Sequence, residues 1–206
     1  NSVQPDSLRS RLTQSVRGRF QAGVQERGTH HKSRAFPLLH IATPEVYHMS
    51  NTLVVYYSLT GHTRQIAEAI AAAHDADLEV IEDTFNRDTG LGRPRSAIEG
   101  LLGLRSSITP PKHDLSEYDL VVVGTPVWAA RLSSPVRAYL SQQRASLERV
   151  AFFCTQGGIG GKWALQNMAK VSGQWPIARM IISESQLNTP VAEEKIAQFV
   201  SEIGMG

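Results

Sequence analysis

The sequence has little of several features that would mark a special class of protein. Its only cysteine, Cys154, excludes an intramolecular disulfide framework and fits a reducing compartment. Its apolar runs all fall well short of the roughly 20 residues that a helix needs to span a bilayer. With 206 residues, 41% of them hydrophobic and 19% charged, the chain is typical of one globular domain with a sizeable core. We therefore expect a cytoplasmic protein without membrane contact.

The small net charge of +2 hides an uneven distribution along the chain. Residues 1–48 carry seven lysines and arginines against three acidic residues, whereas the remainder has fourteen basic and sixteen acidic residues. The basic excess thus belongs to the N-terminal stretch and says little about the partners of the rest of the chain. The remainder also lacks a basic stripe interleaved with aromatic residues, so we expect no nucleic-acid partner.

The first 48 residues are rich in Arg, Ser, Gln and Gly and show no sustained apolar period. We predict a disordered N-terminal extension over residues 1–48 and a single globular domain over residues 49–206. An Arg-rich stretch poor in acidic residues can be an organelle transit peptide. A simpler interpretation is that the natural protein starts at Met49, the first methionine, and that the residues ahead of it are added sequence.

Several catalytic and binding motifs are missing. The chain has no G-x-x-x-x-G-K-[ST] loop, no G-x-G-x-x-G fingerprint and no G-x-S-x-G elbow, which argues against P-loop ATP binding, Rossmann dinucleotide binding and hydrolase chemistry. His30, His31 and His40 lack neighbouring cysteines or carboxylates at ligand spacing, so we expect no metal site.

From Leu53 onward, short apolar runs alternate with segments of helical period. The spacing predicts five strands, at Leu53–Tyr57, Leu78–Ile81, Leu120–Val123, Val150–Cys154 and Ile177–Ile182. It predicts helices at His62–Ala73, Pro135–Gln142, Lys162–Val171 and Ala192–Ile203. This alternation is typical of a doubly wound α/β sheet of parallel strands. The connection Thr84–Lys112 is unusually long, contains a candidate short helix at Ser96–Leu104, and could fold over a ligand.

Three unusual loops follow predicted strands: Ser58–Thr63, Thr125–Leu132 and Thr155–Lys162. In an open parallel sheet, ligands bind beyond the carboxyl ends of the strands. The first loop joins a strand to a helix with hydroxyl residues around Gly61, an arrangement that can hold a phosphate. The second contains Trp128, and the third has four glycines in seven residues. Without a ligand, the first loop would be a helix cap, Trp128 of the second would pack in the core, and the third would be a flexible connection.

Residues 52–203 resemble the flavodoxin-like superfamily. The stretch SLTGHT at 58–63 is similar to its phosphate motif S/T-x-T-G-x-T, while YDLVVVGTPVWAA and FFCTQGG resemble the strands and loops that contact the flavin. The resemblance implies a doubly wound, five-stranded parallel sheet of order 2-1-3-4-5, with FMN at the switch point between strands 1 and 3.

The resemblance also implies the cofactor-binding residues. The FMN phosphate would be bound by Ser58, Leu59, Thr60, Gly61, His62 and Thr63. The isoalloxazine would contact Thr125, Pro126, Val127, Trp128 and Ala129, with Trp128 as the stacking residue. Its pyrimidine edge would meet backbone donors of Thr155, Gln156, Gly157 and Gly158. Because the flavin carries the chemistry, no side chain is expected to act as a catalytic acid or base.

Some residues depart from the pattern of flavodoxin electron carriers. His62 replaces the usual Asn, and the third loop lacks acidic and tyrosine-rich sequence, with Arg64, Arg131 and Lys162 nearby.

Three hypotheses follow. The first is an FMN redox protein that passes electrons to a partner protein, and the second is an NAD(P)H-dependent FMN reductase of a quinone or flavin. The third is a flavin-free binding or scaffold module. Homodimerisation is left open.

Overall fold

A computed structural model describes residues 51–84 and 107–205. The predicted N-terminal extension, and most of the Thr84–Lys112 connection with its candidate helix Ser96–Leu104, lie outside the described residues. The strands are β1 (Thr52–Tyr56), β2 (Asp77–Val80), β3 (Leu120–Trp128), β4 (Arg131–Leu132), β5 (Val150–Gln156) and β6 (Arg179–Ser183). The α-helices are α1 (His62–His74), α2 (Ser134–Gln142), α3 (Gly161–Ser172) and α4 (Pro190–Gly204), and short 3₁₀ turns occur at Leu115–Glu117 and Glu184–Gln186.

The sheet has the strand order β2-β1-β3-β5-β6, with every pair along this path parallel. Numbered as parallel strands alone, this is the order 2-1-3-4-5, so the predicted flavodoxin-like fold is confirmed. The central strands β3 and β5 are buried on both faces, which explains their continuous apolar sequences.

Alternate residues of each strand enter two separate cores, because successive side chains point to opposite faces of a sheet. On one face, Val54, Val122 and Phe153 pack with residues of α1 and α4. On the other face, Val55, Val123 and Phe152 pack with residues of α2 and α3. The result is a three-layer α/β/α arrangement that leaves the carboxyl ends of the parallel strands at one edge.

One predicted loop is mostly strand. Residues 125–128 continue β3, pairing first with β5 (Thr125 opposite Cys154) and then with the short antiparallel β4. The turn between β3 and β4 is made by Ala129 and Ala130, both with positive φ (46° and 61°). Positive φ at both central residues is the hairpin geometry that matches the twist of the strands. Alanine does not signal it, which is why sequence alone suggested a loop.

The two described ends of the long connection are held together beside β2. Asp83 and Ile108 form an antiparallel bridge, and Thr109 donates its N–H to the Glu82 carbonyl at 3.0 Å. The buried Glu79 carboxylate accepts from the backbone N–H of Lys112 at 2.9 Å. The two ends of the connection therefore lie side by side where the chain leaves β2. Among residues 51–84 and 107–205, no helix combines the length and apolar character needed to cross a membrane.

Candidate functional site

The first loop leaves the N-terminus of α1 open. Gly61 precedes the helix with φ of 90° and, being glycine, has no side chain to cap the helix start. Ser58 Oγ accepts the Gly61 N–H at 3.1 Å, whereas the first amides of an α-helix have no partner within the helix. A Cβ at Gly61 would meet nothing within 4 Å. Unpaired N–H groups at the positive end of a helix, facing open space, suit an anion.

A pair of hydroxyls joins the first loop to the third. Thr63 Oγ1 and Thr155 Oγ1 lie 2.8 Å apart, and both residues are buried. Their mutual hydrogen bond fixes the start of α1 against the end of β5. The Thr63 hydroxyl, suggested by sequence as a phosphate donor, is thus engaged within the protein, while Thr60 and Gly61 are exposed.

The β3–β4 hairpin brings the second loop to the same edge. Trp128 stands edge to face against Tyr57, with ring centroids 5.6 Å apart and planes at 88°. It is only partly buried against the core, so part of its ring remains accessible. The Thr125 hydroxyl is fully buried and accepts the Ser133 N–H at 3.0 Å, ahead of α2. Any contact of Thr125 with a ligand would therefore use its backbone.

The third loop meets the hairpin directly. A Cβ at Gly160 would lie 2.5 Å from Ala130 Cα, so the two backbones are in close contact. Gln156 Oε1 accepts the Gly161 N–H at 2.7 Å and thereby occupies the start of α3. Gly157 and Gly158 are exposed, which leaves their backbone accessible. The predicted site residues of all three loops thus converge at one edge of the sheet, but the side chains of Thr125 and Gln156 serve the protein itself.

Comparison with known proteins identifies the family of the chain. The sequence profile of the family described as Flavodoxin matches residues 51–203, which is most of the chain. The chain belongs to the flavodoxin family. The predicted resemblance is confirmed, and a redox role through FMN is consistent with this membership.

Curated relatives of this flavodoxin-family chain include proteins named NAD(P)H dehydrogenase (quinone). One from Cupriavidus metallidurans is 33% identical over 94 residues, covering 46% of this chain and 47% of the relative. Another, from Paraburkholderia phymatum, is 32% identical over 121 residues, covering 56% of each. The chain spans about half the length of the curated relatives that it matches.

Solved structures share the flavodoxin fold. A flavoprotein from Lactobacillus acidophilus, determined in complex with FMN, is 24% identical with a TM-score of 0.58, covering 68% of this chain and 97% of that one. The apo form of the flavoprotein from the same organism gives 23% identity and a TM-score of 0.52, covering 68% and 95%. At these identities the likeness establishes the fold alone.

The structure adds Glu184 to the candidate site, a residue that sequence reasoning missed. It begins the 3₁₀ turn after β6, where Ser183 and Gln186 form a reciprocal capping box. Its Oε1 lies 3.2 Å from His62 Nδ1, and its Oε2 lies 3.3 Å from where a Cβ on Gly157 would sit. The signal was the S-x-x-Q pattern at the end of the last strand, which places Glu184 at the edge where the loops meet.

Cys154 has no part in the chemistry of this site. It is fully buried, and burial raises the pKa of its thiol to about 12. The thiolate that a nucleophile or metal ligand requires is therefore disfavoured. Over the described ranges 51–84 and 107–205, no group of three or more His, Cys, Asp or Glu residues is placed to hold a metal ion.

Proposed function

We propose that this flavodoxin-family chain is a redox protein that binds FMN without a covalent bond at the carboxyl edge of its sheet. The observation that carries the proposal is the open N-terminus of α1, uncapped and exposed at Gly61, beside the hairpin that presents Trp128. This start of α1 follows β1, and the strand order reverses between β1 and β3. Doubly wound sheets bind ligands at this kind of switch point.

The protein supplies binding and orientation. The N–H groups of the first turn of α1 would hold the phosphate, with Ser58 and Thr60 lining the loop. Trp128 would pack against the ring system, oriented by its edge contact with Tyr57. Backbone N–H groups of Gly157 and Gly158 would donate to the pyrimidine edge, where donors favour negative charge on the reduced ring. FMN supplies reversible transfer of one or two electrons.

A second, narrower function is an NAD(P)H-dependent reductase that passes electrons to a quinone. Two observations favour it over a carrier that docks to a protein. The curated relatives carry the name NAD(P)H dehydrogenase (quinone). The rim of the site also presents exposed Arg131 and Lys162 on β4 and α3, two elements in contact. Cations at the rim favour an anionic dinucleotide, whereas carriers with an acidic rim attract basic partners.

The test is a visible absorption spectrum of the purified 206-residue chain after FMN addition and dialysis. We expect a retained flavin band and quenched FMN fluorescence. NADH and NADPH are then supplied with a soluble quinone, and steady oxidation of either supports the reductase. Retained flavin without oxidation leaves the carrier function, whereas a chain that holds no flavin favours the flavin-free scaffold module and contradicts the proposal.

A further inference from the structure

The phosphate loop carries a hydrogen-bonded pair of histidine and glutamate. His62 is the first residue of α1, and its Nδ1 lies 3.2 Å from Glu184 Oε1. Both side chains are partly exposed, at 38% and 51%. A carboxylate so near a phosphate site is unexpected, because two negative charges repel.

The Glu184 segment is anchored at several points. Gln186 Oε1 accepts from the Ser183 N–H at 3.1 Å and from Lys195 Nζ at 3.0 Å. Gln65, one turn into α1, donates to Asn188 Oδ1 at 2.5 Å. The turn that bears Glu184 is therefore tied both to α4 and to the helix whose N-terminus it adjoins. Glu184 is held beside His62 by the fold, rather than by their mutual hydrogen bond alone.

His62 is well placed to provide cationic charge at the phosphate loop. Arg64, the nearest other cation in sequence, directs Nε to Glu68 Oε1 at 3.2 Å, one turn further along α1. An imidazolium has two N–H donors, so one can serve Glu184 while the other serves a phosphate oxygen. In the neutral form with Nδ1–H on Glu184, the second nitrogen is only an acceptor and cannot bond a phosphate dianion.

We propose that Glu184 is a positioning residue that holds His62 as an imidazolium ligand for the FMN phosphate, so that the pair selects phosphorylated flavin over riboflavin. This rests on the proposed FMN site at α1. Glu184 then acts on the phosphate through His62, and its own charge would oppose binding if His62 were removed. The contribution of Glu184 should therefore depend on the residue at position 62.

The experiment is a double-mutant cycle on the full chain, with Kd for FMN and for riboflavin measured by flavin fluorescence quenching. The proteins are wild type, His62→Asn, Glu184→Gln and the double variant. We expect His62→Asn to weaken FMN binding about tenfold and Glu184→Gln to weaken it about threefold, in the range of charge-assisted bonds to an exposed anion. In the His62→Asn background, Glu184→Gln should leave FMN binding unchanged or tighten it. Riboflavin affinity should stay within about twofold throughout.

Two results overturn the inference. One is an equal loss from Glu184→Gln in both backgrounds, which makes Glu184 a structural support only. The other is an equal loss of affinity for FMN and for riboflavin, which would show that the pair does not act on the phosphate. Failure of the FMN site itself looks different, because the wild-type protein would then fail to bind FMN or would not prefer it to riboflavin. Far-UV circular dichroism and thermal unfolding of each variant exclude misfolding as the cause.

Discussion

Two helices begin at the same edge of the sheet after a glycine with positive φ. Gly61 precedes α1 with φ of 90°, and Gly160 precedes α3 with φ of 112°. At α1 no side chain caps the start, and the space beside Gly61 is open. At α3 the Gln156 amide oxygen takes the Gly161 N–H, and the backbone of Ala130 fills the space beside Gly160.

The difference shows that a glycine ahead of a helix does not by itself make an anion site. Both helix starts have the same dipole and the same intrinsic surplus of N–H groups. At α3 one of these groups, the Gly161 N–H, is taken by Gln156 of the third loop, and the hairpin packs against Gly160, whereas at α1 the space beside Gly61 is open. We therefore expect a structural role for the start of α3 and a phosphate-binding role for the start of α1, and variants can separate the two.

Gly160→Val should have the largest effect, on stability. Its side chain would collide with the Ala130 backbone and force valine into a left-handed conformation, at a cost of about 3 kcal/mol in the free energy of unfolding. Urea denaturation measures it. Gly173→Val is the matched control, because φ is also positive there (76°) but the neighbour is the Arg144 side-chain end, which can move. Equal losses in the two variants would show that the hairpin contact contributes nothing.

Gly61→Val should chiefly affect cofactor binding. Valine disfavours φ of 90°, so the loop rearranges and its N–H groups no longer converge; we expect Kd for FMN to rise at least 100-fold, about 2.7 kcal/mol. Fluorescence titration measures the affinity. Gly204→Val, at the end of α4, is the control, since a Cβ there meets only His74 Cε1 at 3.6 Å, an ordinary contact, and φ is not positive. Unaltered FMN affinity in Gly61→Val would show that this loop does not bind the phosphate.

Gln156→Ala should uncap α3. Removing the acceptor leaves the Gly161 N–H without its partner, which costs about 1 kcal/mol of stability by the usual value for a lost helix cap. Chemical denaturation of Gln156→Ala and Gln156→Glu provides the test. Glutamate keeps an acceptor oxygen and should retain most of the stability. The assignment would be wrong if the two variants were equally destabilised.

The smallest expected effect is a pH dependence from His74 in the last turn of α1. Burial lowers the pKa of its imidazole, although the helix C-terminus favours the charged form. The unfolded chain therefore takes up the proton more readily, so stability is full above about pH 6.5 and declines as the pH falls below it. Thermal unfolding of wild type and His74→Gln is measured between pH 7.5 and 5. The fall in Tm over this range should differ between the two proteins by less than about 2–4 °C, the shift that 1 kcal/mol causes in a domain of this size. Parallel slopes would contradict the assignment.

The elements that sequence predicts best are those whose signal is local. The apolar run Leu120–Val123 predicts a buried strand, and the helical spacing after His62 predicts α1. The stretch SLTGHT predicts a phosphate loop, whereas the order of the strands was implied only by the family resemblance. Burial of both sheet faces demands such sequences wherever β3 and β5 run.

The missed features depend on contacts between distant residues. Nothing near Ala129 and Ala130 signals a tight hairpin turn, because its geometry is imposed by pairing with β4 and contact with Gly160. Glu184 reaches His62 across 122 positions of sequence. The role of Gln156 as a cap for α3 likewise emerges only when the third loop folds back. The sequence shows which residues stand at these positions, but tertiary packing decides which distant residues they contact.

The most direct test of the central claim is a ¹⁵N–¹H NMR titration of the chain with FMN, with riboflavin as the comparison. We expect the amide protons of His62–Arg64 to shift strongly downfield with FMN and much less with riboflavin, since only FMN has a phosphate. The amides of Gly161–Trp163 should respond alike to both ligands. A phosphate-dependent shift at α3, or none at α1, would contradict the assignment of the open helix as the phosphate site.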